Sequence, residues 1–438
     1  MKNISLATDI ALEKPRVEAT THRKGLLVMA FLTGLITLSM RSLIVSPFYE
    51  ILALMEQGLL VFLAAFLVYA LCMGFVSRRY ALDAFDLVIF SLAILPLTGA
   101  IASHVEYGQP LVHGILAFKD YYLFFVAYFL YYLLRREMIS LKELENALMW
   151  SALISLFMFY LLSLTTNPAK YADTIIAGSQ STKGGGVYYR FNMGLIFYGA
   201  IYFFVKAFKK DSLISLIICF LFVVYILFFR LDRTSMVACL LSMGLAWLLS
   251  APRLYKVKST LYFGIPGLLI VALILTAFPS IIDRVVLMFW DAISTLIGEN
   301  KGAGQAKLRN YEAGIVIDQI KEHPILGNGR VSNTWVPGAF DYFYRFFYPS
   351  DVGFLGTVFV FGIPGTVLLY SQFFLSLFTI WHSKWMKNSF AIALVFYLLI
   401  LFLDSLSNGS LIIFSAQTLI PVMCLYYMYK NNIGNESV

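Results

Sequence analysis

The sequence predicts an all-α, polytopic integral membrane protein with about twelve transmembrane helices. Hydrophobic residues make up 60% of the 438 residues and charged residues only 13%, and the mean hydropathy is +0.78. A soluble globule of this length needs more polar surface than that composition supplies. Apolar runs of about twenty residues, the length that crosses a bilayer core of about 30 Å, recur along the chain. Lipid is therefore the expected solvent for most of the chain.

Each predicted span is an apolar run that ends at charged or turn-forming residues. The runs are 25–45, 58–77, 84–103, 112–134, 147–165, 189–208, 212–230, 232–250, 260–279, 351–379, 388–404 and 409–429. The polar lead before the first run is too long and too acidic for a signal peptide, so we expect that run to be a retained span.

The basic residues predict the orientation of these spans. With the N-terminus inside, the cytoplasmic loops and the two tails hold 19 of the 33 Lys and Arg. The short loops are basic, as at Arg78-Arg79, Arg135-Arg136 and Lys209-Lys210. Because positive charge in short loops stays on the cytoplasmic side, both termini are expected to be cytoplasmic.

Composition also excludes several classes of function. The net charge of +8 comes from basic residues scattered between apolar runs, so it indicates topology and no nucleic-acid partner. The four cysteines show no CxxC spacing and lie in or beside apolar runs. Neither a disulfide framework nor a metal site is expected.

The predicted organisation has four parts. They are a cytoplasmic tail at 1–24, spans one to nine at 25–279, a large outer loop at 280–350, and the last three spans with the C-terminal tail at 351–438. A shorter outer loop at 166–188 contains three consecutive glycines at 184–186, either a flexible loop or a backbone cradle for phosphate.

The large outer loop contains a predicted surface helix. Residues 311–321 show helical periodicity, and we expect Ile315, Ile317 and Ile320 to face one way. His323 should be a turn residue that ends the helix, because Pro324 disfavours helical backbone before it.

Arginines gather on the predicted outer side, where positive charge is scarcer. They are Arg190, Arg230, Arg233, Arg309, Arg330 and Arg345. Any one of them could extend to the headgroups or pair with an aspartate. Guanidinium groups match phosphate oxygens, so several that converge on one cavity would bind a pyrophosphate. In a membrane this suggests a polyprenyl-linked sugar.

Other polar residues near the outer ends of spans are weaker candidates. Glu50 and Glu56, near the outer end of the second span, could contact sugar, pair with Arg41 or face water. Lys119 and Asp120 could form a pair within the fourth span, although adjacent residues on a helix do not face each other.

Asp404 and Asn408 on the last outer hairpin could line a cavity. The aromatic stretch 340–348 could stack on sugar rings or form an interface belt.

Two stretches carry a resemblance to a known family. The first is Arg230-Leu-Asp-Arg233-Thr-Ser, which opens an apolar span. The second is the helix from Tyr311, the turn Pro324-Ile-Leu-Gly327-Asn-Gly329 and then Gly362-Ile-Pro-Gly365 in the next span. In this order they resemble the O-antigen ligase and polymerase superfamily over residues 230–370. The family places the arginine after Ser or Thr, whereas here Arg233 precedes Thr and Ser.

A second departure separates the two activities of the family. The ligases that modify lipid A core carry a His-Asn pair shortly before the glycine that Gly362 matches. Here Ser350 and Asp351 occupy that place, with no histidine near. The resemblance is therefore closer to the Wzy-type polysaccharide polymerases.

The resemblance implies a glycosyltransferase-C-like fold in the bacterial inner membrane, with its large late loop in the periplasm and no metal or cofactor. It implies that a sugar hydroxyl of one undecaprenyl-pyrophosphate-linked repeat unit attacks the anomeric carbon of a growing chain, releasing undecaprenyl pyrophosphate. Arg190, Arg233 and Arg309 would neutralise the pyrophosphate, and Asp351 would be either the base or a helix N-cap. The remaining predicted substrate-binding residues are Arg230, Arg330, Arg345 and Tyr311.

The implied partners are the lipid-linked oligosaccharide, membrane lipids and a chain-length regulator protein. Two alternative functions remain open. A ligase would transfer a finished glycan to lipid A core, and a flippase would move the lipid-linked unit without forming a bond. Flippases have two similar halves around a central cavity, and this sequence shows no internal repeat.

Overall fold

The computed structural model is predominantly helical. It describes residues 14–43, 49–77, 83–167, 177–179, 187–189, 191–210, 212–227, 233–251, 305–332, 334–336, 349–383, 385–409, 411 and 415–431. The helices are α1 Lys14–Ser39, α2 Tyr49–Ser77, α3 Ala84–Tyr107, α4 Leu111–Ala117, α5 Phe125–Arg135, α6 Leu141–Thr165, α7 Gly194–Lys210, α8 Leu213–Tyr225, α9 Arg233–Ser250, α10 Gln305–Glu322, α11 Gly353–His382, α12 Ser389–Ser407 and α13 Ser415–Lys430.

The described strands form one short antiparallel pair. Strands β1 (Ala177–Ser179) and β2 (Val187–Tyr189) pair with Ala177 opposite Tyr189. They lie in the predicted shorter outer loop at 166–188, except for Tyr189, which falls in the predicted span 189–208. The three glycines at 184–186 lie outside the described residues.

Five of the described helices are long and apolar enough to cross a membrane, and a sixth span results if the bent pair of α4 with residues 119–135 is counted as one. The five are Glu50–Ala70, Ala84–Tyr107, Leu141–Thr165, Pro349–His382 and Ser389–Ser407. Three shorter apolar helices are Gly25–Ser39, Leu213–Tyr225 and Ser235–Ser250. The predicted ninth run, 260–279, lies outside the described residues. A multi-pass membrane protein is therefore supported, while the count of twelve and the orientation stay predictions.

The fourth predicted span is not one continuous helix. Helix α4 ends at Ala117, a 3-10 helix covers Lys119–Phe124, and α5 follows with a bend of 52°. The predicted pairing of Lys119 with Asp120 is wrong, because Asp120 Oδ2 lies 2.7 Å from Arg41 Nη1. Neighbouring side chains on a helical turn diverge, so the partner comes from another part of the bundle.

Helix α11 is the centre of the part of the bundle that holds the candidate site. It packs against α3, α10, α12 and α13, and α12 in turn packs against α7 and α9. The α1 helix lies against α6 at the other side. The buried core includes large aromatic side chains such as Phe118, Tyr121 and Phe361. These contacts fix the positions of the helices that carry the candidate residues.

Candidate active site

The segment after α10 is a tight turn that inserts between two helices, and we call residues 323–332 the glycine turn. Gly327 and Gly329 have φ of +70° and +71°, which favours glycine. The N–H of Asn328 donates to the Phe359 carbonyl at 2.7 Å, and that of Gly329 donates to the Val360 carbonyl at 3.0 Å. The turn thereby satisfies carbonyl groups of α11 that lie beside a break in that helix.

The break in α11 is at Gly362, where φ is 67° and ψ is 179°. The Ile363 N–H donates to the Pro324 carbonyl at 2.8 Å. The turn and α11 therefore each donate hydrogen bonds from backbone N–H groups to backbone carbonyls of the other. A Cβ at position 362 would lie 2.1 Å from the Ile325 carbonyl oxygen, and one at 327 would lie 2.5 Å from the Gly362 nitrogen. The two backbones interlock, and only glycine permits this approach at either position.

The opposite side of the glycine turn rests on α3 and the linker that follows it. A Cβ at Gly329 would lie 2.2 Å from the Gly99 carbonyl oxygen. The buried Gln109 amide donates to the Arg330 carbonyl at 3.1 Å and accepts from the Ser332 N–H at 2.7 Å. Gln109 is a positioning residue that the sequence analysis missed. Its place in the polar Gly-Gln-Pro break between two apolar runs was the available signal.

Histidine side chains hold the start and the end of the glycine turn. His323 Nε2 lies 3.0 Å from the Glu106 carboxylate. His113 Nδ1 lies 3.2 Å from the Thr334 hydroxyl, just beyond the turn. His323 therefore anchors the turn to α3, in agreement with its expected place as a turn residue.

Asn328 is the most enclosed polar residue of the glycine turn. It is completely buried, and neither atom of its side-chain amide has a hydrogen-bond partner among the described residues. A buried polar group without a partner costs about 1–3 kcal/mol. Sequence analysis identified the flanking glycines and missed this side chain.

Asp351 lies on a second short turn, the 3-10 helix Pro349–Val352 that precedes α11. Its side chain is exposed. The Ser350 carbonyl accepts from the Gly409 N–H at 2.7 Å, and a Cβ at Gly353 would lie 2.3 Å from the Leu406 carbonyl oxygen. The turn is thus fixed against the end of α12. The alternative that Asp351 caps α11 is wrong, because the cap position is Val352.

The end of α12 also holds the start of α9. Asp404 is buried, and its Oδ1 accepts from the Ser235 hydroxyl at 2.6 Å and from the Asn408 amide at 2.9 Å. Ser235 follows Arg233 by two residues in the first turn of α9. One helix end therefore positions both the start of the arginine span and the turn that bears Asp351.

Comparison with known proteins identifies this region. A family model described as O-antigen ligase matches residues 217–370. Residues 217–370, which we call the ligase-family segment, are therefore similar to O-antigen ligases. The match confirms the resemblance to the ligase and polymerase superfamily, which rested on the arginine span and the glycine turn. No curated protein matches the chain.

The ligase-family segment contains every element of the candidate site except α3, the Gln109 linker, α4 with His113, and the end of α12. The match indicates membrane glycosyl transfer of the ligase or polymerase type and supports a multi-pass bacterial membrane protein. The helical bundle is the scaffold that holds the matched segment in place.

Most of the predicted arginines fall outside the part of the chain that the structure describes. The structure does not describe Arg190, Arg230 or Arg345. On α9 and α10 it describes the backbone, but not the side chains, of Arg233, Arg309 and Tyr311. Arg330 is half-buried in the glycine turn, with its carbonyl bound by Gln109. The convergence of guanidinium groups on one pocket therefore stays a prediction.

The predicted face of the surface helix is partly wrong. Helix α10 buries Glu312 and Val316, at 6% and 0% exposure, while Ile317 is 43% exposed. Residues two apart, such as Ile315 and Ile317, point in different directions on a helix, whereas residues four apart share a face. The α10 helix packs against α11 and the turn at 349–352, and it ends at Glu322 as Pro324 predicted.

Proposed function

We propose that the protein is a polysaccharide polymerase that joins undecaprenyl-pyrophosphate-linked oligosaccharide units at the periplasmic face of the inner membrane. The observation that carries the proposal is the arrangement around α12. Its end holds the first turn of α9, which begins with Arg233, and the turn with the exposed carboxylate of Asp351. A cation for a leaving diphosphate and a base for a hydroxyl are the two groups this reaction needs.

In the proposed reaction a hydroxyl oxygen of one lipid-linked unit attacks the anomeric carbon of the growing chain. The new C–O bond forms as the bond from that carbon to the diphosphate oxygen breaks. Asp351 accepts the hydroxyl proton, and undecaprenyl pyrophosphate leaves with both electrons of the broken bond. Arg233, with Arg190 and Arg309, offsets the charge that builds on the diphosphate.

The second candidate is a ligase that transfers the glycan to lipid A core. The description of the matching family model favours it. The residues at 350 and 351 favour the polymerase, because Ser and Asp stand where those ligases carry a His-Asn pair. The two activities use the same donor and differ in the acceptor.

The test is incubation of the purified chain in liposomes with a lipid-linked repeat unit. A ladder of longer glycans with release of polyprenyl pyrophosphate supports the polymerase. Transfer that occurs once, and only when lipid A core is added, would replace it with the ligase. Movement of the unit across the bilayer without a new glycosidic bond would replace both with a flippase.

A further inference from the structure

The glycine turn exposes three consecutive apolar residues, Pro324, Ile325 and Leu326, which we call the apolar tip. Ile325 is 70% exposed and Leu326 is 45% exposed. The tip follows directly after the polar end of α10, where Lys321 pairs with Asp318 and both side chains are exposed. Large apolar side chains that are exposed next to one another mark an interaction surface.

The apolar tip continues the exposed apolar face of α11. The Ile363 N–H donates to the Pro324 carbonyl at 2.8 Å, so these two residues are adjacent. Ile363 and Val367 are both exposed, and residues four apart share a face of a helix. Helix α11 belongs to the span Pro349–His382, which is long and apolar enough to cross a membrane. The tip therefore adjoins a face that the bilayer covers.

Helix α3 shows how deep the glycine turn lies. Asp86, in the first turn of α3, belongs to a charged cluster at one end of the bundle. A Cβ at Gly329 would contact the Gly99 carbonyl oxygen, and Gly99 is thirteen residues beyond Asp86, which is about 20 Å along a helix. His323, at the start of the turn, contacts Glu106, which is about 30 Å beyond Asp86. The turn therefore begins at the far edge of a hydrocarbon core about 30 Å thick and returns into it.

Helix α11 gives a similar depth for the turn. Gly362, where α11 meets the turn, is twenty residues from His382, which is about 30 Å along the helix. His382 lies beside Tyr429, and the next residue, Lys430, pairs with Asp83 at 2.7 Å. Both helices are thus measured from the same end of the bundle. They place the glycine turn about 20–30 Å from that end, in the far third of the hydrocarbon core.

The backbone of the glycine turn suits this depth. Irregular backbone within a bilayer requires polar groups that are paired inside the protein. The N–H groups of Gly327, Asn328 and Gly329 donate to carbonyls of the turn and of α11. The Gln109 amide pairs with two further backbone groups of the turn. These bonds supply what an irregular segment needs in order to leave water.

We propose that the apolar tip is inserted in the bilayer and contacts the acyl chains of the leaflet farther from Lys430, the outer leaflet in the predicted orientation. Part of the predicted large outer loop then returns into the membrane. Lipid already covers the neighbouring face at Ile363 and Val367, so a protein partner would have to displace lipid from α11 to reach the tip. The insertion is independent of which acceptor the proposed glycosyl transfer uses.

Fluorescence quenching in liposomes tests the insertion on the full chain, with a fluorescent amino acid incorporated at position 325. Lipids brominated in the upper half of an acyl chain quench from the hydrocarbon core, and iodide quenches from water. The same fluorophore in place of Val367 is the lipid reference, and in place of Asp318 it is the water reference. We expect brominated lipid to quench position 325 within twofold of position 367. We expect the iodide quenching constant at 325 to be at least fivefold lower than at 318.

Two results of the quenching experiment would overturn the proposal. Iodide quenching at 325 that equals the value at 318 would mean that the tip lies in water. Weak quenching at 325 by both iodide and brominated lipid would mean that protein covers the tip.

A pair of substitutions tests the same point without a fluorophore. Ile325→Asp places a carboxylate in hydrocarbon, where a charge is costly, so the turn should leave its place. Ile325→Leu keeps an apolar side chain of the same size and is the matched control. The readout is labelling of a Val331→Cys thiol, which is buried in the turn, on the peptide that contains position 331.

We expect Ile325→Asp to raise the rate of thiol labelling at least fivefold and Ile325→Leu to change it less than twofold. An exposed side chain in water tolerates either substitution. A thiol that stays protected in Ile325→Asp would therefore contradict the insertion of the apolar tip.

Discussion

Replacing Gly362 with alanine should release the glycine turn from α11. The residue has φ of 67° and ψ of 179°, a backbone conformation that is nearly restricted to glycine and costs other residues about 1–3 kcal/mol. The added Cβ would also lie 2.1 Å from the Ile325 carbonyl oxygen, and relief of such overpacking costs about 1–3 kcal/mol more. We therefore expect Gly362→Ala to lower the free energy of unfolding by about 2–6 kcal/mol, which is a large part of the stability of a typical domain.

The measurement is the free energy of unfolding in mixed micelles by titration with SDS, together with thiol labelling of a Val331→Cys background. Val331 is buried in the glycine turn, so labelling of a thiol at this position reports whether the turn has left its place. Gly314→Ala is the matched control. It changes a glycine inside α10 that has free space among the described residues, and it should gain about 0.5–1 kcal/mol.

The interlocked backbones predict that Gly362→Ala exposes the introduced thiol to the reagent and that Gly314→Ala does not. If Gly362→Ala unfolds at the wild-type SDS fraction and keeps that thiol protected, the break in α11 does not hold the turn. If both variants expose the thiol, the turn is loose in every variant and the interlock has no effect.

Three further predictions concern the site. Gln109→Ala should lower the free energy of unfolding by about 2–4 kcal/mol, because the change removes the hydrogen bonds of Gln109 and leaves the buried Ser332 N–H unpaired. SDS titration measures this free energy, and a wild-type value would contradict the prediction. Asp404→Ala should lower glycan transfer more than it lowers protein level, measured by gel ladder and immunoblot, because it frees the start of α9; a parallel loss of both would indicate a purely structural role. Arg233→Ala and Asp351→Ala should each abolish polymer with the protein still in the membrane fraction; normal polymer from either variant removes that residue from the proposed site.

The lengths of the apolar runs, and the prolines and polar residues that end them, made much of the helical framework predictable. The run 84–103 corresponds to α3 at Ala84–Tyr107, and the run 388–404 corresponds to α12 at Ser389–Ser407. Pro324 marked the end of α10 correctly. These features depend on residues close in sequence, so local reasoning reaches them.

The candidate site depends on contacts between residues far apart in the sequence, which patterns among neighbouring residues do not predict. The glycine spacing identified the turn, but the hydrogen bonds from Asn328 and Gly329 to α11 join residues about thirty positions apart. Gln109 binds Arg330 from more than two hundred positions away. The same limit explains the wrong partner assigned to Asp120, whose arginine lies on the loop after α1.

The end of α12 is where the geometry bears most directly on catalysis. Glycosyl transfer between two lipid-borne substrates gains most from groups that are held in place before the substrates meet. Asp404 fixes the first turn of α9 through Ser235, and the backbone around Gly409 fixes the turn of Asp351 through Ser350. Neither connection passes through the substrate. Disturbing α12 should therefore impair both halves of the proposed reaction, departure of the diphosphate and deprotonation of the hydroxyl, whereas changing Asp351 alone should impair only the second.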